Sequence, residues 1–203
     1  MTDEPGKLDL GFTDERLPKD AHVCLIFDDD AQRQKLVSEY LAAGLRRGES
    51  TRWFVDVSDP ADARRALEAA GVDWAVVERA ALSLLPATDA YCPAGHFDPP
   101  AVIARMKSVY EVAKKKGFTG TRMTGEMTWA LRGIPGSERL LEYEALIGTL
   151  CTHFPHSGMC QYDSRRFDGA TLFKVLQIHP YMVAQGQIVR NPYYVRPAEY
   201  AQG

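Results

Sequence analysis

The sequence predicts an α/β protein in which a mostly parallel sheet is flanked by helices. Short apolar runs, each long enough for a buried strand, alternate along the chain with segments whose apolar residues recur at helical spacing. This alternation is typical of β-α-β units, whose crossover connections are right-handed. The 203 residues suffice for one domain of this kind, and no repeat or linker divides them.

The predicted strands are apolar runs bounded by turn residues. They are His22–Phe27, Thr51–Val57, Ala81–Leu85, Thr119–Thr124 and Gly158–Tyr162, with one or two more in Tyr181–Val189. The predicted helices follow capping residues. They begin after Asp28–Asp30, at Pro60, after Asp98, at Ser137, and at Asp168 or Gly169.

Three segments differ in periodicity. Residues 1–20 lack it and contain several helix and strand breakers, so we predict a flexible N-terminal arm. Residues 21–195 form the predicted domain, and residues 196–203 are predicted to be a tail.

Composition narrows the function. A net charge of −3 provides no basic field for nucleic acid or an acidic membrane surface, and no apolar run approaches the length of a membrane span. The polar, acidic start is unlike a signal peptide, so we expect a cytoplasmic protein. The four cysteines are therefore expected to be free thiols.

A phosphate-binding loop is missing where the fold would place it. The turn after the first strand reads Phe27-Asp28-Asp29-Asp30, with no glycine and with three carboxylates that would repel phosphate. No G-x-x-x-x-G-K-[ST], G-x-G-x-x-G or G-x-S-x-G motif occurs anywhere. These absences favour a binding module over an enzyme, and we expect no cofactor.

The stretch Thr121–Leu131 places polar and aromatic residues around the predicted end of a central strand. Arg122 lies near that end, and Glu126 and Trp129 lie just beyond it. Because ligands bind outside the carboxyl ends of strands in open α/β sheets, we predict a pocket there. A surface ion pair beside a core tryptophan remains the alternative.

A second cluster could bind metal, and a metal- or redox-sensing protein that uses it is our alternative function. Cys151, His153, His156 and Cys160 offer two thiols and two imidazoles within ten residues, and such a set is acceptable to zinc. The spacing does not fit a zinc finger, and the first cysteine is predicted on a helix and the last on a strand. The alternative is a helix-end loop with exposed histidines and core cysteines.

Several short motifs together carry a family resemblance. They are Thr121–Leu131, Cys160–Asp163, His179-Pro180, Asn191–Tyr194, His22, Gly95–Asp98 and Tyr143-Glu144. In their order and spacing, from about His22 to Tyr194, they resemble the MEDS family of methanogen and methylotroph sensory domains.

The resemblance implies a sensory domain for small, often hydrocarbon-derived molecules, with a RecA/KaiC-like core that lacks the phosphate loop. It implies action through a regulatory partner or an output module, and no such module is visible in this sequence. The ligand-binding residues it indicates are His22, Arg122, Glu126, Trp129, Cys160, Tyr162 and His179. Glu126 departs from the family pattern, in which Asp is more common, and the loop from Cys92 to Asp98 is our candidate moving element.

Overall fold

The computed structural model describes residues 7–19, 21–74 and 81–196. Its strands, in chain order, are β1 Lys7–Asp9, β2 Arg16–Pro18, β3 His22–Phe27, β4 Ser50–Val55, β5 Leu82–Pro86, β6 Thr121–Glu126, β7 His156–Asp163, β8 Tyr181–Ala184 and β9 Gln187–Arg190. The last seven form one sheet in the order β5-β4-β6-β7-β3-β8-β9. All neighbouring strands from β5 to β8 are parallel, and β9 closes the edge antiparallel to β8. The predicted mostly parallel sheet is confirmed.

Helices cover both faces of the sheet. They are α1 Asp30–Arg46, α2 Pro60–Ala69, α3 Ala87–Tyr91, α4 Pro99–Lys115, α5 Leu140–His153 and α6 Gly169–Ile178, with 3₁₀ turns at Met127–Arg132 and Ser137–Arg139. Apolar residues of α1 and α2 pack on one face, and those of α4, α5 and α6 pack on the other. Because side chains alternate along a strand, Val23 and Leu25 of β3 join the first core and Cys24 joins the second. Among the described residues, no helix is long and apolar enough to cross a membrane.

The N-terminal segment is more ordered than its sequence suggests. Strands β1 and β2 pair as an antiparallel hairpin, and Leu8, Leu10 and Leu17 are buried in the core that contains α1. The prediction of a loose arm without regular structure is therefore wrong for residues 7–19. Three-residue strands are too short to produce a periodic signal, so sequence patterns miss them. Residues 1–6, 20 and 197–203 lie outside the described residues.

The bounds of the central strand β6 differ from the prediction. This strand runs from Thr121 to Glu126, whereas the sequence predicted Thr119–Thr124. Every residue of β6 is buried, because the strand lies between β4 and β7 in the middle of the sheet. Arg122 is therefore near the start of β6 and Glu126 is at its end, separated by roughly 13 Å of extended chain.

The last two strands confirm the expected turn around Gly186. Strands β8 and β9 pair directly, with Ala184 opposite Gln187. The two turn residues between them, Gln185 and Gly186, have φ angles of 50° and 77°. Positive φ at both positions is what a tight hairpin turn requires.

Candidate functional site

The carboxyl end of β6 holds a buried carboxylate that the protein itself satisfies. Glu126 accepts hydrogen bonds from the backbone N–H groups of Asp56, Val57 and Ser58, at 2.9, 2.7 and 3.1 Å. The guanidinium of Arg33, on α1, donates to its other oxygen at 2.9 Å. Burial acts to raise the pKa of Glu126, but Arg33 and the donors outweigh it and hold the pKa below its ordinary value.

We call this region, formed by Arg33, residues 56–58 and Glu126, the Glu126 crevice. Its neighbours are also paired, since Asp56 accepts from Thr128 at 2.7 Å and bridges to Arg132 at 2.6 Å. Glu126, which we predicted to bind a ligand, is thus engaged by the chain itself. The turn after β3 is similar, because the Asp29 carboxylate accepts from the Gln32 backbone N–H at 2.9 Å and caps α1.

Arg122 lies away from this crevice, at the opposite end of β6. Its side chain is fully buried and its Nε donates to Glu49 at 2.6 Å. One terminal nitrogen donates to the carbonyls of Asp9 and Tyr40, at 2.6 and 2.8 Å. The prediction that Arg122 and Glu126 approach one pocket is therefore wrong, and the reason is the misplaced strand end. Arg122 ties the N-terminal hairpin and α1 to the sheet.

Trp129 lies in an aromatic core. Its ring stacks on Tyr91 with centroids 4.9 Å apart and an interplanar angle of 16°, and Phe97 packs at 4.7 Å. The side chain is fully buried. The alternative interpretation of a core tryptophan therefore matches its position.

The other four predicted residues meet inside the protein around a carboxylate that the site prediction omitted. His22 at the start of β3, Cys160 in β7, Tyr162 in β7 and His179 at the end of α6 converge on Glu144 of α5. We call these five residues the Glu144 cluster. The Tyr162 hydroxyl donates a short hydrogen bond to Glu144 Oε1. The Nε2 atoms of His22 and His179 lie 3.2 and 3.3 Å from Glu144 Oε2.

A thiol completes the cluster. Cys160 Sγ lies 3.4 Å from His22 Nε2. Burial, and then the charge of Glu144, raises the pKa of this thiol well above its usual range. The candidate metal-binding atoms of His22, Glu144, Cys160 and His179 all lie within 4.8 Å of one another. Both histidine rings are also close to each other, with centroids 4.0 Å apart.

Burial dominates the electrostatics of the cluster. Burial, and then the nearby His179, lowers the pKa of His22, while Glu144 acts in the opposite direction, and the result is a pKa of about 4. Burial also opposes the charge on Glu144, but the two histidines beside it, His179 and then His22, outweigh that effect and lower its pKa. The cluster is therefore a carboxylate surrounded by groups that can carry, share or give up a proton.

The predicted metal set of Cys151, His153, His156 and Cys160 does not assemble. His153 is exposed and its Nδ1 bonds to the Thr149 carbonyl at 2.8 Å, while buried His156 contacts the Thr121 hydroxyl at 2.8 Å. Within ranges 7–19, 21–74 and 81–196, the only group of three or more His, Cys, Asp or Glu residues placed for metal binding is the one around Glu144. The alternative of a metal site made by these four residues is therefore wrong as a set, and Cys160 is the one member that lies in the group around Glu144.

A small cavity among buried residues adjoins the cluster. Its walls, between the sheet and helices α4 and α5, include Tyr91, Met106, Met123, Tyr143, Ile147 and Cys160. It has room for about one water molecule. Cys160 is common to the cavity and the Glu144 cluster, so a molecule in the cavity would touch the thiol.

Glu144 was missed because it sits in the buried stripe of an amphipathic helix. Leu140, Tyr143 and Ile147 on the same helix are buried, and Glu144 is fully buried among them. Charged residues are rarely buried without a partner. A carboxylate at a core position of the helical pattern was therefore the available signal.

Comparison with known proteins places these features in a family. Residues 21–180 match the MEDS family, described as the methanogen/methylotroph, DcmR sensory domain. The transcriptional repressor DcmR of Methylorubrum extorquens is 26% identical over 159 residues, which cover 78% of this chain and 57% of the repressor. The chain therefore spans less than two thirds of the length of this relative.

Solved structures show the same fold at low identity. FlaH, a flagellar accessory protein of Methanocaldococcus jannaschii, aligns with a TM-score of 0.63 and 11% identity, over 91% of this chain and 84% of FlaH. The KaiC-like protein PH0186 of Pyrococcus horikoshii aligns with a TM-score of 0.57 and 13% identity, over 81% of this chain and 70% of that protein. The RecA/KaiC-like core is thus confirmed, and since the match covers residues 21–180, the chain belongs to the MEDS family of regulatory sensory domains.

Proposed function

We propose that this sensory domain detects a small, largely apolar molecule in the cavity beside the Glu144 cluster. The observation that supports this most is the position of Cys160, which lines the cavity and also belongs to the buried polar cluster. Small-molecule sites combine apolar walls with a few convergent polar groups. Here both parts occur side by side in the interior.

The walls and the cluster indicate what kind of molecule fits. Met106, Met123 and Ile147 provide apolar contact, and Tyr91 and Tyr143 provide aromatic faces. The cavity has room for about one water molecule, so even the ligands of one to three carbon atoms that we expect have to enlarge it. A hydroxyl, carbonyl or halogen at one end would face Cys160. Ligands of this kind belong to the hydrocarbon derivatives that the family resemblance implies.

The aromatic wall connects the cavity to the candidate moving element. Tyr91 lines the cavity, stacks on Trp129 and is followed directly by the loop from Cys92 to Asp98. A ligand larger than the cavity has to displace this ring. A displaced ring would move the loop, and the conformation with the open cavity would bind the ligand more tightly, as switching requires. We infer that a regulatory partner or output module reads this change.

Thermal melting with a ligand panel tests the proposal. The panel contains alcohols, aldehydes and halides of one to three carbons, and at least one should raise the melting temperature of the wild type. Ile147→Phe fills the cavity and should abolish that ligand-dependent rise, although overpacking alone lowers stability by about 1–3 kcal/mol. Comparison of each variant with and without ligand removes that baseline effect.

A matched control variant introduces a phenylalanine at the surface instead of in the cavity. Val112 on α4 is 49% exposed, so Val112→Phe leaves the cavity unchanged and should keep the full ligand-dependent rise. An equal rise in Ile147→Phe and wild type would place the ligand outside the cavity. The absence of any rise across the panel would contradict the proposed ligand class.

A further inference from the structure

The charge of Glu144 has no fixed counterion among the described residues. In the part of the chain that the structure describes, its ion-pair partners are only His22 and His179, and its side chain has no exposed surface. Buried charges are normally paired or bind metal. A histidine can balance the carboxylate only by taking a proton, and burial disfavours a protonated imidazole. The cluster therefore lacks a permanent positive charge at its centre.

The neighbouring side chains form a donor set that suits zinc. Two imidazoles, one thiol and one carboxylate are all established zinc ligands. Around a tetrahedral zinc ion such ligand atoms lie roughly 3.3–3.6 Å apart, as the metal–ligand bond lengths require. The separations here are 3.2 Å from Glu144 Oε2 to His22 Nε2, 3.3 Å to His179 Nε2, and 3.4 Å from His22 Nε2 to Cys160 Sγ.

The four donor atoms need only small movements to reach tetrahedral positions around one ion. No two of the four donor atoms are more than 4.8 Å apart. Side-chain shifts of roughly 1 Å would bring the widest separation to the tetrahedral value. Because the four residues come from β3, α5, β7 and α6, an ion between them would join two strands and two helices.

The orientation of His179 gives a second, independent indication. Its Nδ1 lies 2.8 Å from the Val175 carbonyl, so this nitrogen must carry a proton and donate it. In the neutral ring, Nε2 is then a bare lone pair that faces the oxygen of Glu144. Two lone pairs in contact repel unless a proton or a cation lies between them. Metal-binding histidines characteristically donate their other N–H to a carbonyl or carboxylate.

Tyr162 supports the same interpretation from the other side. Its hydroxyl donates to Oε1 of Glu144, which leaves Oε2 directed at both histidines. Hydrogen bonds of this kind hold a ligating carboxylate in place. Glu144 thus presents one oxygen to the histidines while the other is fixed by Tyr162.

We propose that His22, Glu144, Cys160 and His179 bind one divalent zinc-like metal ion in a closed tetrahedral site. With the carboxylate and a thiolate as ligands, a divalent ion makes the site electrically neutral, which suits complete burial. Four protein ligands leave no open position, so the ion stabilises and positions the core. This inference revises the expectation that the protein has no cofactor. It does not depend on the proposed ligand, because its readout is metal content.

Two experiments test the site. The first is metal analysis of protein purified without chelators. In the second, the protein is unfolded with chelator and refolded with Zn²⁺ or Co²⁺ alone. Wild type should hold roughly one ion per chain, and the Co²⁺ form should show tetrahedral d–d bands and a thiolate-to-cobalt charge-transfer band. Cys160→Ser should lose the charge-transfer band, and Glu144→Gln should lose most of the bound metal.

Two matched variants control for a general disturbance. Cys92→Ser changes a buried cysteine outside the cluster, and Glu142→Gln changes the exposed carboxylate two residues from Glu144. Both should bind metal as the wild type does. The proposal is overturned if wild type holds no transition metal as purified and takes up none on refolding. It is equally overturned if Cys160→Ser retains the charge-transfer band, since the thiolate would then belong to another site.

Discussion

Glu126 and Glu144 are both buried carboxylates, yet their surroundings differ in kind. Glu126 accepts from three backbone amides and from the permanent cation of Arg33. Glu144 contacts a tyrosine hydroxyl and two histidines. The partners of the first have a fixed charge or polarity, whereas those of the second depend on a proton or a bound ion.

The difference separates a structural ion pair from a candidate functional centre. A carboxylate that is fully paired within the fold has no need of a ligand, and its removal harms mainly stability. A carboxylate among titratable groups can respond to what binds beside it. The Glu126 crevice lies where ligands bind in related open sheets, but we propose that sensing in this protein occurs beside the Glu144 cluster.

The largest expected effect is a difference in protein stability between variants of the two carboxylates. Glu126→Gln removes the one buried carboxylate that pairs with Arg33, leaving this cation only Gln161 and the exposed Asp30, and should lower the free energy of unfolding by about 3–5 kcal/mol. Glu144→Gln, in metal-free protein, should cost less, because His22 and His179 can remain neutral. Urea unfolding measures both. The exposed control Glu142→Gln should change stability by at most about 1 kcal/mol. Equal losses of unfolding free energy in Glu126→Gln and Glu144→Gln would contradict the difference between the two carboxylates.

The next effect concerns Arg122, which we first placed in the ligand pocket. Arg122→Met removes a buried cation that donates to Glu49 and to two backbone carbonyls, so we expect a loss of about 3 kcal/mol in urea unfolding. Any ligand-dependent rise in melting temperature should be unchanged, because the side chain contacts α1 on one face of the sheet and the cavity lies on the other face. Loss of that rise with little destabilisation would show that Arg122 takes part in ligand binding. The half-exposed Arg139 provides a matched Arg→Met control.

The smallest effect is a difference in pH dependence between the two regions in metal-free protein. The pKa of His22 is lowered from 6.5 to about 4, so the unfolded chain binds its proton first. Its contribution to stability is complete above pH 6.5 and is lost as pH falls towards 4, by at most about 3 kcal/mol. Glu126, whose pKa is lowered from 4.5, loses its contribution only below pH 4.5.

Unfolding measured from pH 7 to pH 3 checks these two windows. His22→Gln should flatten the decline between pH 6.5 and 4, and Glu126→Gln should flatten the decline below pH 4.5. A decline between pH 6.5 and 4 that is identical in His22→Gln and wild type would show that this imidazole is not held neutral by burial.

Much of the fold could be predicted from the sequence because its signals are local. Apolar runs such as His22–Phe27 and caps such as Asp168 are confirmed, since strand burial and helix capping depend on neighbouring residues. The end of β6 was misjudged because Gly125 and Glu126 are poor strand residues, and only the central position of β6 in the sheet explains their inclusion.

The candidate site could be predicted only in part. His22, Cys160, Tyr162 and His179 were selected and are brought together, although their ligand-binding role stays a prediction. Arg33 and Glu49, the partners of Glu126 and Arg122, were not identified. Partners separated by 73 and 93 residues leave no mark on local spacing.

The most direct test is an NMR titration of wild-type protein with the one- to three-carbon ligand panel. Methyl signals of Met106, Met123 and Ile147 report on the cavity, and backbone amide signals of residues 56–58 report on the Glu126 crevice. Binding at the proposed site should shift the cavity methyls first and saturate them, while the crevice amides stay unchanged. Shifts confined to residues 56–58 would contradict the assignment of sensing to the Glu144 cluster.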